Sequence, residues 1–480
     1  MAIVHKGASL VPNKIELLTQ WLPHQRWYAG KGQVPRLERV GGFRFEDPEG
    51  EVGVEVLLVA DHSASPVVVY QVPLTYRGAP LEGAEHALVG TMEHSVLGPR
   101  WVYDGPHDPV YVAGLVETIL TAGVSDIAQG SQGSNAVAVG TSTGVTDGVV
   151  SSSKVLAGEQ SNTSIICRMS APGGGPGEPL IVKVFRIVQD GDNPDVVVQS
   201  ALTRAGSTRV PAAFGHLSGA WDDPAGSGPE KHGHLAFAQE FIPGVEDAWR
   251  VALVAAAAGT DFTARARDLG VVTAEIHQAL AQTLGRTEPT REAREALERS
   301  MQERYAAAVA SVPDLRSRSA DVHRLLGQVG SVAWPPLQRV HGDYHLGQVL
   351  DVPERGWVAL DFEGEPLRPL AERVLPDLVQ RDIAGMLRSF DYAAGSVRLS
   401  GSSAAAANAD AWAADCRAAF LAGYESVAGP FDAAGQTLVR VLELDKALYE
   451  VVYEARNRPS WLPIPVDAVD RILAEKGPER

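Results

Sequence analysis

Cysteine is nearly absent: Cys167 and Cys416 are the two in 480 residues, too few for a disulfide framework or a cysteine-ligated metal site. Both sit among apolar or alanine-rich neighbours and read as inert core thiols. Long apolar runs are missing too. No stretch approaches the roughly 18 uncharged residues of a membrane span, and the opening MAIVHKGASLVPNK lacks the continuous apolar core of a signal peptide. The expectation is a cytoplasmic protein without a membrane partner. Basic charge is the third scarcity, with 42 Lys and Arg against 59 Asp and Glu and a net charge of −17. With no local basic patch to offset it, such a chain repels phosphate polymers, so no nucleic-acid partner is expected.

What is present is 45% hydrophobic content, enough for more than one core. The first hundred residues look self-contained. A helix-like KIELLTQWLPHQRWYAGKG precedes strand-like GVEVLLVA and PVVVYQVPLTYRG, a small α+β unit. PVYVAGLVETILTAGV then has a helical period, and residues 128–153 shift to Gly, Ser, Thr and Val, a linker or short edge strands. The strands KVLA, TSIICRM and LIVKVFR, separated by turns, predict an antiparallel meander, and GHLAFAQEFIPG a further strand. After Asp247 the stretches ALVAAAA, DLGVVTAEIHQALAQTLG, REAREALERSMQERYAAAVASV and DVHRLLGQVG have helical periods. Short strands QRVHGD and GWVALDFE follow, and two long helices end at Pro459.

The chemistry concentrates in RVHGDYHLGQVL (339–350) and VALDFEGEP (358–366). His341, Asp343 and His345 alternate as metal ligands might, but no H-E-x-x-H pair accompanies them. A phosphotransferase accounts for more of the pattern. Moving a γ-phosphoryl group needs a carboxylate to accept the acceptor's proton, oxygen ligands for Mg²⁺ and a cation on the nucleotide phosphates. Asp343 suits the base, Gln348 and Asp361 the Mg²⁺ ligands, and Glu363, two residues on along an extended strand, a further ligand or substrate contact. Lys183, inside apolar LIVKVFR, suits the phosphate cation; the alternative is an edge-strand lysine reaching solvent. The turn AGEQSNTS offers Gly158, Ser161, Asn162, Thr163 and Ser164 to cover phosphates.

HGDYHLGQ with DFEGEP, EQSNTS and LIVKVFR resembles the maltokinase-type branch of the aminoglycoside phosphotransferase-like kinases. WLPHQRWYAGKG, RDIAGMLRSFDYA and YEARNRPSWLPIP extend the resemblance through nearly the whole chain. It implies an α+β, bilobal protein-kinase-like fold: an N-terminal α+β cap (1–112), an antiparallel β lobe binding nucleotide (113–244) and a mainly helical catalytic lobe (245–480). It further implies ATP and Mg²⁺ as cosubstrates and a sugar hydroxyl as acceptor. By position, Asp343 resembles the base, Gln348 and Asp361 the magnesium ligands and Lys183 the phosphate lysine, while Gln239 and Phe241 join the nucleotide-binding set and His345 the sugar-facing part. The acidic residue usual in the helix after the lysine strand is missing from NPDVVVQSAL, leaving Asp195 as the nearest candidate partner for Lys183. The cap segment ALVGTMEHSVLGPRWVYDG is more similar to a related group that phosphorylates glucosamine.

On the acceptor side, Lys446, Glu450, Glu454 and Asn457 share one helix face, which as pattern alone is as well read as a solvated face of Lys–Glu pairs. Glu450, Glu454 and Asp382 are the expected carboxylates for an ammonium-bearing sugar, and Trp461 a plate for its ring, or else a core residue. The expectation is glucosamine phosphorylated on its primary hydroxyl, with maltose giving maltose 1-phosphate as the alternative and a non-catalytic kinase-like binding module as the alternative of another class. A monomer or homodimer is expected.

Overall fold

Turn chemistry sets the beginning of the chain: Asn13 and Glu16 close a capping box on the helix Lys14–Trp21, and Pro23 then turns it into a short 3₁₀ segment, Leu22–His24, so the helix expected to continue toward residue 32 stops. The structure, a computed structural model, describes residues 9–127, 137–144, 148–157, 161–171, 173–226, 228–365, 368–400 and 403–475. It divides into two units, residues 1–200 with 212–242, and residues 201–211 with 243–480.

The first unit holds two sheets. One runs in the order Leu10–Val11, Leu88–His94, Gly98–Asp104, Val68–Arg77, Gly53–Asp61, Leu37–Phe45, Asp126–Ile127, with Ile187–Val188 added beside Val68–Arg77. The other runs Val139–Ser142, Ala213–Trp221, Lys231–Glu240, Leu180–Phe185, Asn162–Ser170, Val149–Val155, and every pair in it is antiparallel. The strands at Gly53–Asp61 and Val68–Arg77 match the apolar runs that predict them. The edge strands of residues 128–153 are present at Val139–Ser142 and in Val149–Val155.

Helix Pro109–Leu120, begun by Asp108 as N-cap with Pro at its first position, packs Val112, Leu115, Val116 and Ile119 into a core shared with both sheets. It runs unbroken through position 112, where the end of the cap is expected, because the helical hydrogen-bond ladder has no break there. Two polar clamps tie the sheets together. Arg186 donates to Asp104 at 2.6 and 2.9 Å and to Thr163 at 2.8 Å, and Gln71 donates to the carbonyls of Phe185 and Leu235 at 3.0 and 2.9 Å. Buried donors with every partner in place fix a register that apolar packing alone leaves loose.

The second unit is helical. It has long helices at Thr263–Leu284, Arg291–Ser311, Gln380–Ser400, Ser403–Ala428 and Ala433–Asn457 and a three-stranded sheet of Glu246–Asp247, Val349–Val352 and Gly356–Ala359, against which Thr263–Leu284 packs. The first of the short strands expected around the central motif shrinks to Leu337–Gln338, and the second ends at Ala359. Residues 339–345 and 360–365 are loops, which is where the site lies. Among the described residues no helix is long and apolar enough to cross a membrane.

Candidate active site

In the first unit, Lys183 projects from Leu180–Phe185, an interior strand paired on both sides, so the edge-strand alternative does not hold. Its ammonium lies 3.0 Å from Asp195 Oδ2, and both side chains are largely buried, at 16% and 1% exposure. Asp195 opens helix Pro194–Arg204 and also takes Gln199 Nε2 at 2.7 Å. The acid that the helix seemed to lack is thus Asp195, in its first turn.

The neighbouring turn is smaller than its sequence suggests. Strand Asn162–Ser170 already includes Asn162, Thr163 and Ser164, set opposite Phe185, Val184 and Lys183. Thr163 is buried and accepts from Arg186, so it serves the core and does not cover a phosphate. Ser161 alone of the five stays in the described turn, exposed, and Gly158 lies outside the described residues. Gln239, on strand Lys231–Glu240, has a buried Oε1 without a hydrogen-bond partner; the Phe241 amide donates to Pro179 O at 3.1 Å.

In the second unit the loop 341–345 is hung from one carboxylate. Asp382, at 1% exposure, accepts the amides of His341 and Gly342, each at 2.8 Å, and His277 Nε2 at 2.9 Å. Burial alone would raise its carboxyl, but His277, His341 and the Gly342 amide outweigh that and hold it below the usual range. Two amides captured in this way cannot enter a β ladder, which is why QRVHGD is not a strand. Asp382 is spent on the loop and is not available as a sugar carboxylate.

Further contacts fix the rest of the loop. Gly342 takes φ +85°, Tyr344 OH meets Thr273 Oγ1 at 3.2 Å, and Leu346 N donates to Ser389 at 3.0 Å. Gly385 lies so close beneath that a Cβ there would stand 2.5 Å from Tyr344 O. Asp343, at 22% side-chain exposure, then presents its carboxylate beside Lys446, whose Nζ is 3.0 Å from Asp343 Oδ1 and 2.8 Å from Glu365 Oε1. Arg304, Arg381 and Asp445 line the same small cavity. Glu365 is driven up by burial but down more strongly by Lys446, Arg304 and Arg381, to about 2.

Gln348 ends the short 3₁₀ turn Leu346–Gln348, and its Nε2 lies 3.1 Å from Asp361 Oδ2. Asp361 has φ +61°, so residues 361–363 form a turn, and Glu363 does not follow it along an extended strand. Glu363 gives its carbonyl to Arg373 at 2.9 Å, and its carboxylate stays within 4.8 Å of that of Asp361, close enough for the two to share a cation. The amide and carboxylate of Gln348 and Asp361 are hard oxygen donors of the kind Mg²⁺ takes, and two such groups with waters suffice for it. His345 caps the 3₁₀ turn by accepting from Gly347 N at 3.1 Å; burial lowers its basicity, and it is not among the residues lining the cavity beside Asp343.

The expected acceptor groups on the last long helix are committed elsewhere. Glu450 accepts Arg388 at 2.7 and 2.9 Å; Glu454, at 1% exposure, accepts Arg458 at 2.6 Å and Tyr392 at 3.1 Å. From Lys446 to Glu454 this face is therefore buried and ion-paired, with the loops at Asp343 and Glu365, with Arg388 and with Arg458, and not solvated. Asn457 is exposed and donates to Tyr453 O. Trp461 stacks on Tyr392 at 6.3 Å with Arg458 over its ring at 4.7 Å, which takes up the plate expected for a sugar.

Residues 21–108 match the Maltokinase N-terminal cap domain family. A glucosamine kinase of Streptacidiphilus jiangxiensis is 30% identical over 339 residues, covering 66% of this chain and 73% of its own; one of Mycolicibacterium smegmatis is 30% identical over 333 residues, 66% and 78%. This chain belongs to the glucosamine kinase family. A solved glucosamine kinase in complex with glucosamine, ADP and inorganic phosphate shares the fold at TM-score 0.67, with 23% identity over 96% of this chain and 99% of its own. A second crystal form gives TM-score 0.69 over 97% and 100%, again at 23% identity. The chain thus has the kinase-like fold, a β lobe, a helical lobe and an N-terminal cap.

For this member of the glucosamine kinase family, the sequence reading overlooked Arg304, Glu365, Arg381 and Asp445. The signal was available: Glu443, Asp445 and Lys446 interrupt an otherwise apolar run, VLELDKALY, in the middle of a helix, and charge there is rare unless paired.

Proposed function

We propose that this protein is an ATP- and Mg²⁺-dependent sugar kinase whose favoured acceptor is glucosamine, phosphorylated on its primary hydroxyl. The observation that carries the reading is Asp343, a carboxylate on a loop pinned by Asp382, with a cation on one oxygen and the other free to take a hydroxyl proton. Such a group aligns the acceptor oxygen and receives its proton as the phosphoryl group transfers. Lys183, steadied by Asp195, supplies positive charge for nucleotide phosphates, with Ser161 and the Gln239–Phe241 segment as further nucleotide contacts. Gln348 and Asp361 would hold Mg²⁺, with Glu363, whose carboxylate lies within 4.8 Å of that of Asp361, as a further ligand. That ion, when bound, neutralises charge building on the transferring phosphoryl oxygens.

Residues 1–112 are proposed as the cap, 113–244 as the nucleotide-binding lobe and 245–480 as the catalytic lobe, in a cytoplasmic enzyme. Maltose is the second reading, favoured by the match of residues 21–108 to the maltokinase cap. ADP release measured with glucosamine, glucose, maltose and an aminoglycoside, with the product's phosphate position read by NMR, tests both. Turnover of glucosamine to its 6-phosphate supports the first; turnover of maltose with glucosamine inert overturns it in favour of the second. No ADP formation with any of these acceptors would leave a non-catalytic binding module.

A further inference from the structure

Three polar atoms beside the catalytic loop are buried without a hydrogen-bond partner: Glu365 Oε2, Asp445 Oδ1 and Arg304 Nη1. Glu365 and Asp445 are 3% and 2% exposed, and all three residues line the same cavity as Asp343 and Lys446. Arg304 Nη1 stands 3.3 Å from Asp445 Oδ2 and 4.0 Å from Glu365 Oε2, close enough to attract and yet without a hydrogen bond to either. Leaving buried lone pairs without donors is costly, and native structures rarely do so without a reason.

We propose that Glu365 and Asp445 are the acceptor-recognising pair of this enzyme, their unpartnered oxygens receiving hydrogen-bond donors of the sugar, an ammonium or neighbouring hydroxyls. The inference rests on the kinase reading above and names the groups that select the acceptor at that site. An ionised carboxylate only accepts, so the ligand must bring donors, and an anionic sugar is rejected. Arg304 Nη1, which only donates, suits a sugar oxygen between them. Lys446 joins the pair to the base, since one ammonium touches both Glu365 Oε1 and Asp343 Oδ1. Burial raises the Asp445 carboxyl above its usual range although Arg304 and Arg381 oppose the shift, as befits a group waiting for a donor. Glu450, Glu454 and Asp382 have internal partners and do not compete for the role.

The test measures kcat and KM for glucosamine, N-acetylglucosamine and glucose in the wild-type protein, E365Q and D445N, with KM for ATP and melting temperature alongside. The acceptor KM is expected to rise about 10- to 100-fold in each variant, with KM for ATP moving less than about twofold. A loss confined to glucosamine identifies the ammonium as the recognised donor; an equal loss for glucose identifies hydroxyls. Wild-type acceptor KM in both variants overturns the proposal. Should D445N fail to fold, D445E keeps the charge and shifts the oxygen, and an unchanged acceptor KM there overturns it equally. Failure of the kinase reading is distinguishable, because the wild-type protein itself would then turn over none of the sugars.

Discussion

The ammonium of Lys446 stands 3.0 Å from Oδ1 of Asp343, so the general base enters catalysis with one oxygen already engaged. That contact orients the carboxylate and keeps its proton-accepting oxygen on one side. Lys446→Met should lower kcat by about 100-fold while leaving KM for ATP nearly unchanged, as expected when a reacting group is misplaced by an ångström or so. Lys446→Arg should recover part of the loss. Equal kcat in Lys446→Met and the wild type would show that the contact is incidental.

Asp343→Asn should leave nucleotide affinity nearly intact and reduce turnover by orders of magnitude, because the base acts on the acceptor's proton and not on ATP. Titration of ATP binding beside a turnover assay separates the two. Near-normal turnover would remove Asp343 from its role.

Lys183→Ala should raise KM for ATP and lower kcat, and Asp195→Asn should reproduce part of that effect, since the pair is 3.0 Å apart. The double variant should lose less than the sum of the single losses. Strict additivity in the cycle would mean the pair is not functionally coupled.

Gln348→Ala and Asp361→Asn should each shift the Mg²⁺ concentration needed for half-maximal rate, Asp361→Asn the more because it removes charge from the ion. Unchanged Mg²⁺ titrations in both would take the metal from these residues.

The acid limb of stability should depend on Glu365. Its carboxyl is held at about 2 against an ordinary 4.5, so its contribution is full above the unfolded value and is lost as pH falls from about 4.5 toward 2. The contribution is on the order of 3 kcal/mol, shared with Lys446 as the same ion pair. Melting temperatures across pH 2 to 7 should therefore fall less steeply at the acid end in Glu365→Gln than in the wild type, and parallel curves would rule the contribution out.

The division into a β part and a helical part was legible in the sequence because apolar period distinguishes Gly53–Asp61 from Thr263–Leu284 without tertiary information. The central motif was legible because chemistry demands Asp343, Gln348 and Asp361 at fixed roles. What surrounds it was not. Asp382 looks like any acid at the start of a helix, and only folding brings it under the amides of residues 341 and 342. Glu450 and Glu454 looked available because periodicity shows which face a residue occupies and not which arginine waits opposite. That Asp195 is the acid facing Lys183 shows only once the strand and the helix start are brought together.

Glu443 and Glu450 lie on the helix Ala433–Asn457 one turn before and one turn after Lys446. Arg417 and Arg471 grip Glu443 at 2.7 Å each, and Arg388 grips Glu450, from three other helices. Each residue added to a helix turns everything beyond it by about 100°. An insertion or deletion between positions 443 and 450 would therefore swing Lys446 off the base or pull an arginine from its glutamate. This stretch is a gauge of fixed length: the residues between its three charged anchors can change in kind over evolutionary time, but not in number.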